Sequence, residues 1–279
     1  SLSHIFPVAK EIEGKCVLSY LNSQEKEAFQ IYSSDSFAED VDEVSDEAVL
    51  FCHKSSKSKI GTLKFKNKYD DIVFELCSQL SNNRASAASN SEAAFINRNL
   101  MPLINKLLVD DEPASTTHAM MDSPCVQGVK PDFALSTKTR KRNIFLFFIE
   151  VKRNEIDSKY QAESDFVKLM KQMKFAVDQQ LKIGVKSPIS FGLLCEGFSC
   201  EFFTMKLAVE GIYLPVLTRQ FSLVQNVGDL VHVPAIVETF GLVKEELQKL
   251  KEKISKATTA DRKQQKELMK SSFKTHFKK

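Results

Sequence analysis

The chain contains no tryptophan and only 9 glycines and 8 prolines in 279 residues. That excludes a collagen-like repeat and a Gly/Pro-rich disordered chain. No run of eighteen apolar residues occurs and no apolar h-region opens the chain, so neither a membrane-spanning helix nor a visible signal peptide is expected. The first residue is Ser1 rather than Met, which leaves room for a leader removed upstream. Six cysteines form no C-x-x-C pair, and the five histidines supply no Cys/His zinc spacing, so a zinc finger or ribbon is not expected. Unpatterned cysteines in a chain of this size read as reduced, buried thiols and point to an intracellular compartment, nucleus or cytoplasm.

Any excess of one sign of charge is also small, the net value being only +3. Its distribution is uneven. From Lys249 to Lys279 eleven basic residues face three acidic ones, which leaves −5 on the residues before them. What is present is an ordinary globular balance, 43% hydrophobic and 27% charged, enough for one large domain or a core with an appendage.

Three segments follow from the pattern. Residues 1–68 hold short apolar or alternating runs (Lys15 to Leu21, Ala28 to Ser33, Ala48 to His53, Ile60 to Phe65) around an acidic stretch, Glu39 to Glu47. They are expected to form a small strand-rich appendage. Residues 69–240 begin with a helix over 69–80. A polar loop leads to a second helix over 91–109, with Phe95, Ile96, Leu100, Leu103, Ile104, Leu107 and Leu108 at helical spacing. The period then changes. Gly128 to Thr137 and Asn143 to Lys152 read as two strands joined by Lys138-Thr139-Arg140-Lys141-Arg142, a hairpin with a basic connection. The run Ile144 to Ile149 is apolar on both faces and belongs in the middle of a covered sheet. A helix over 162–183 closed by Gly184, strands over 189–195 and 200–207, and a long helix over 235–256 complete the reading. Residues 241–279 then form a basic, helical C-terminal tail.

Chemistry concentrates in Lys130-Pro131-Asp132 and Glu150-Val151-Lys152. Side chains alternate along a strand, so Glu150 and Lys152 emerge on one face. If the hairpin turns symmetrically about Lys141, residues whose numbers sum to 282 lie opposite one another, and Asp132 and Glu150 satisfy that sum. Two carboxylates about 4 Å apart repel by roughly 4 kcal/mol at an effective dielectric near 20, a strain that a divalent cation removes. Oxygen ligands select Mg2+ or Mn2+ over zinc. Such an ion acidifies a water and neutralises charge building on a phosphodiester, with Lys152 placed to orient or deprotonate that water.

The order helix (91–109), K-P-D-F strand, F-I-E-V-K strand, helix (162–183), strand resembles the αβββαβ core of the PD-(D/E)xK phosphodiesterase superfamily, over about residues 85–210. The resemblance implies an α/β, restriction-endonuclease-like fold: a central mixed sheet flanked by helices, here carrying the N-terminal appendage and the basic C-terminal helix. It implies a Mg2+- or Mn2+-dependent nuclease acting on DNA in preference to RNA. It maps the metal ligands onto Asp132 and Glu150, joined by the backbone carbonyl of Val151, and the lysine onto Lys152. A further acid from the first core helix maps onto Glu92, and a glutamine from the helix after E-x-K onto Gln172 or Gln179. The family's first core strand would fall between Leu108 and Gly128, where only Ser115 to Met121 offers itself. Lys130, Lys138, Arg140, Lys141, Arg142, Arg153 and Lys168 are the candidate nucleic-acid contacts. Paired nicking of a duplex would favour a homodimer, and no membrane partner is expected.

Plainer readings stand beside these. Asp132 and Glu150 are otherwise solvated strand-end carboxylates with Lys152 as a cross-strand partner, a pairing worth a few tenths of a kcal/mol. Ser89-Asn90-Ser91-Glu92 has capping-box spacing, which gives Glu92 a structural role. Gln172 and Gln179 lie off the apolar stripe and fit a solvated helix face. The rival functions are a nuclease-fold module that binds nucleic acid without cutting it, and an interaction module built on the C-terminal helix.

Overall fold

A computed structural model describes residues 5, 22–24, 26–27, 43–82, 92–109, 116–120, 130–139, 141–152, 164–209 and 211–269. Within these, strands β2 (Phe133–Thr139), β3 (Arg142–Lys152), β4 (Ile189–Glu196), β5 (Ser199–Val209) and β6 (Ile212–Ser222) form one mixed sheet in sequence order, and β1 (Thr116–Met120) pairs antiparallel with β2 at its edge. Only β3 and β4 run parallel. Their connection carries a helix, as a parallel crossover requires. The fold is therefore α/β, a mixed sheet packed with helices.

Two separate apolar clusters cover the two faces of the sheet. On one, α2 (Lys68–Asn82), α3 (residues 92–109) and α5 (Val233–Lys256) pack with α1 (Asp46–Ser55) over Phe133, Leu135, Phe147, Ile149, Val151 and Leu193. On the other, α4 (Asp165–Ile183) lays Phe166, Leu169, Met170, Met173 and Val177 over Ala134, Phe148, Leu194 and Phe203. β3 thus alternates between two buried layers, which explains why its sequence is apolar on both faces. Glu150 falls on the α4 side of that alternation, next in line after Phe148.

Local chemistry fixes α4. Ser164 caps its start, accepting from the amide of Val167, and Gly184 ends it in the left-handed region at φ 93. A Cβ at Gly184 would lie 2.6 Å from the carbonyl oxygen of Thr258, so glycine also permits the close approach of the chain leading into α6 (Asp261–Glu267). Gly192 does the same for the helix and sheet: a Cβ there would meet Sδ of Met173 at 2.5 Å. α3 contains π turns at Ile96–Leu100 and Asn105–Val109. Pro102 supplies no amide to the turn before it, and the widened turn accommodates that loss.

The β2–β3 register is not uniform. Near the turn, pairs run from Thr139↔Arg142 to Ser136↔Phe145; beyond a bulge they run from Leu135↔Phe147 to Phe133↔Ile149, with Leu146 as the extra residue. Carried one step further, the second register sets Asp132 opposite Glu150; the hairpin is not symmetric about Lys141, contrary to expectation, and the bulge supplies the one-residue offset that restores this pairing.

Several expectations need correcting. Ala48 to His53, read as a strand, lies in helix α1, and Ile60 to Phe65 lies outside any strand. Ser45 caps α1 and its apolar side joins the core, so periodicity over six residues misled: a short amphipathic helix and a short strand look alike at that length. The runs at 15–21 and 28–33 fall outside the described residues. The segment from residue 241, expected as a basic helical tail, begins inside the core, because Val243, Leu247, Leu250 and Ile254 of α5 are buried there. After α5, Arg262 donates to the carbonyl of Lys182 at 2.9 Å and ties α6 to the end of α4. Strand β6 was not anticipated; Pro215 interrupts its pattern, and it lies at the sheet edge, where a residue without an amide is tolerated. β1 does form where the weak candidate stood.

Candidate active site

Glu150 has no solvent exposure. Its Oε2 accepts from Nζ of Lys168 at 2.7 Å and its Oε1 from Nε2 of Gln172 at 2.5 Å. Both donors come from the same face of α4, one turn apart. Lys168 also lies 3.3 Å from Oδ1 of Asp165, a buried acid in the first turn of that helix. Asp132, half-buried just before β2, accepts from the backbone amide of Val151 at 2.7 Å. One carboxylate therefore reaches across the strand pair to the residue that follows the other.

This setting shifts the titrations. Burial, and then the negative charge of Asp132, push Glu150 up from an ordinary 4.5 to about 7, although Lys168 and Gln172 oppose the rise. Burial also raises Asp132, against the pull of the Val151 amide and Lys168. For Lys168 burial works to lower the value, but Glu150, Asp165 and Asp132 together outweigh it and hold the ammonium charged. Such mutually perturbed groups mark candidate functional sites more often than surface ion pairs do.

Donor chemistry fits a hard divalent cation. Oε1 of Gln172 is buried and has no hydrogen-bond partner; since the amide nitrogen faces Glu150, the oxygen is the end left to accept. In an extended strand the amide and carbonyl of one residue point the same way, so the carbonyl of Val151 faces the Asp132 side. Two carboxylates and these neutral oxygens suit Mg2+ or Mn2+, which commonly keep one or two protein carboxylates and several waters. Among the described residues no three His, Cys, Asp or Glu gather closely enough to hold a metal by themselves.

The remaining sequence candidates divide. Lys152 is half-buried at the end of β3, two residues from Glu150 on the same face, and its carbonyl accepts from the amide of Gly197 at 2.7 Å. Gln172 is fully buried on Glu150, which overturns the solvated-face reading. Gln179 is instead structural: it accepts from the amide of Phe145 at 3.0 Å and donates to the carbonyl of Asn143, taking the place of a neighbouring strand beyond the end of β4. Glu92 is exposed at the start of α3 and joins no three-acid cluster with Asp132 and Glu150. Lys168 is drawn inward to the acids rather than left for a ligand.

Lys130 is exposed near Asp132. Lys138, Lys141 and Arg142 are exposed at the far end of the hairpin; eight residues of strand separate Arg142 from Glu150, about 26 Å at 3.3 Å per residue. Arg140, Arg153 and the capping residues before Glu92 lie outside the described residues. Asp165 was missed, because an acid after a serine at a helix start reads first as a favourable helix-dipole residue.

Compared with protein-family models, curated proteins and solved structures, the chain gives no significant match. Among the described residues no helix is long and apolar enough to cross a membrane.

Proposed function

We propose that the protein is a Mg2+- or Mn2+-dependent nuclease with a restriction-endonuclease-like core, hydrolysing phosphodiester bonds of DNA in preference to RNA. The observation that carries this reading is the buried Glu150 carboxylate beside Asp132, with Lys152 on the same face. A buried pair of acids is costly unless protonated, paired or bound to a cation. Asp132, Glu150, the Gln172 side-chain oxygen and the Val151 carbonyl would hold the cation. When bound, it supplies a more acidic water and compensation for phosphoryl charge.

The chain's own residues define the rest. The Val151 amide fixes the orientation of Asp132. Gln172 and Lys168 fix Glu150, with Gln172 acting as a positioning residue through its hydrogen bond. Lys152, on the side of Glu150 nearer the strand end, is placed to hold a water or take up its proton. Apolar α4 and β4 exclude bulk water from the inner side of the acids, which strengthens their electrostatics.

A second reading, a nucleic-acid-binding module without turnover, draws on the Lys168–Glu150 pair, which satisfies the acid without a metal. Cleavage of labelled single- and double-stranded DNA and RNA by the purified protein, in EDTA, Mg2+ or Mn2+, separates the two. Metal-dependent cutting lost in both Asp132→Ala and Lys152→Ala establishes the nuclease; binding without cutting establishes the second reading.

A further inference from the structure

We propose that the cleft at the end of β4 and β5 is a nucleobase subsite that takes guanine through the carboxylate of Glu196; it rests on the nuclease reading. The cleft has a volume of about 400 Å³, within the roughly 300–1,000 Å³ range of small-molecule sites. It opens at the catalytic end of the sheet. Glu196 is the parallel-register neighbour of Lys152, and the next amide, Gly197, donates to the Lys152 carbonyl. One strand spacing of about 5 Å and two residues, about 7 Å, separate Glu196 from Glu150. That is the reach of a nucleotide flanking the scissile phosphate.

The lining selects the ligand. It contains two acids, Glu196 and Asp229, and no lysine or arginine, so it repels phosphate and favours a neutral group rich in N–H donors. Asp229 is already committed: its Oδ2 accepts from the amides of Gln225 and Asn226 and from the Asn226 side chain, fixing the cleft wall. The exposed side chain of Glu196, by contrast, makes no hydrogen bond or ion pair among the described residues, and the same holds for the side chains of Ser199, Ser222, Gln225 and His232. One wall is apolar. Phe198 is held edge-on by Phe95, ring centroids 5.2 Å apart at 76°, and its carbonyl accepts from the amide of Leu223 at 2.8 Å. An aromatic side chain and an uncommitted, exposed carboxylate lining one cleft match a base that packs while donating from its edge.

Guanine is the base that presents two adjacent donors, N1–H and the N2 amino group, and a carboxylate accepts two parallel hydrogen bonds. Adenine and cytosine offer one amino group and thymine none.

The test is fluorescence anisotropy of dye-labelled single-stranded thymidine octamers carrying one central dG, dA, dC, dT or deoxyinosine, with Ca2+ in place of Mg2+. The wild type is expected to bind the dG octamer about tenfold more tightly than the all-thymine one, in line with a bidentate base contact. Deoxyinosine, which lacks the amino group, should fall between them. In Glu196→Gln the dG-to-dT ratio should collapse to within twofold, and in Gln225→Ala it should fall by a smaller factor; unchanged melting temperatures would show both variants folded. A wild type that binds all five octamers equally, or a Glu196→Gln variant that keeps the dG preference, overturns the subsite alone. A wild type that binds none of them overturns the subsite too, while the nuclease reading stands or falls separately on metal-dependent cleavage of single- and double-stranded substrates.

Discussion

The backbone amide of Val151 donates to Oδ2 of Asp132 across 2.7 Å, so the residue after one acid orients the other. The two carboxylates are thereby coupled through the sheet itself. Asp132→Asn keeps an acceptor for that amide while removing the charge. The expected result is a folded protein, by circular dichroism and melting temperature, whose cleavage falls by about 10²–10³-fold or more, the scale for loss of a charge-stabilising group. Retained cleavage in single-turnover assays would remove Asp132 from the site.

Stability of the metal-free protein should depend on pH through Glu150. Its value in the folded protein is about 7, above the ordinary 4.5. Between those pH values the folded state binds more protons than the unfolded state, so stability falls as pH rises through the window and the loss is complete above it. At about 1.4 kcal/mol per unit, that loss reaches about 3 kcal/mol as an upper bound. Glu150→Gln should therefore melt at a higher temperature than wild type at pH 8 in EDTA, with the difference vanishing near pH 4.5. A variant less stable at both pH values would contradict this account.

On the proposed reading, Lys168 would compete with the divalent cation for Glu150. Replacing it with methionine leaves the buried acid without its partner, so the metal-free protein should lose stability at pH 8. The same change should tighten Mn2+ binding several-fold in calorimetric titration. Weaker Mn2+ binding would show instead that the ammonium supports the bound state.

Gln172 and Gln179 sit two turns apart on α4 but should behave differently. Gln172→Leu removes both the hydrogen bond that positions Glu150 and the side-chain oxygen proposed to face the cation, and is expected to weaken Mn2+ affinity by about 10–100-fold or more. Gln179→Leu strips the end of β3 of its partner, which should lower the melting temperature and leave Mn2+ affinity unchanged. Equal effects of the two on Mn2+ would undo the assignment.

The bulge at Leu146 aligns the site. In the turn-side register, Asp132 would face Ile149 and project to the sheet face opposite Glu150. Deleting Leu146 should extend that register. It costs a buried leucine, about 2–5 kcal/mol, yet a protein still folded at 10 °C should bind Mn2+ far more weakly than wild type. Full Mn2+ affinity in a folded deletion variant would show that the alignment has another source.

The amino-acid sequence by itself determined the sheet's central strands, the α4 crossover with its glycine cap, and the placement of Asp132, Glu150 and Lys152 at one end of a hairpin. These follow from periodicity, capping and alternation, which are local. It did not reveal α1, where six apolar and polar residues fit either period, or β6, whose proline masks an edge strand. Only the tertiary structure decided which glutamine of α4 meets Glu150, because both lie on one helix side and the helix's axial position over the sheet chooses between them. Packing also drew Lys168 and Asp165 into the acids and left Lys138, Lys141 and Arg142 at the far end of the hairpin, more than about 20 Å away. The burial that raises Glu150 is likewise a property of two layers meeting: no pattern along β3 records that α4 covers the acid, but the desolvation it imposes makes Glu150 chemically distinct.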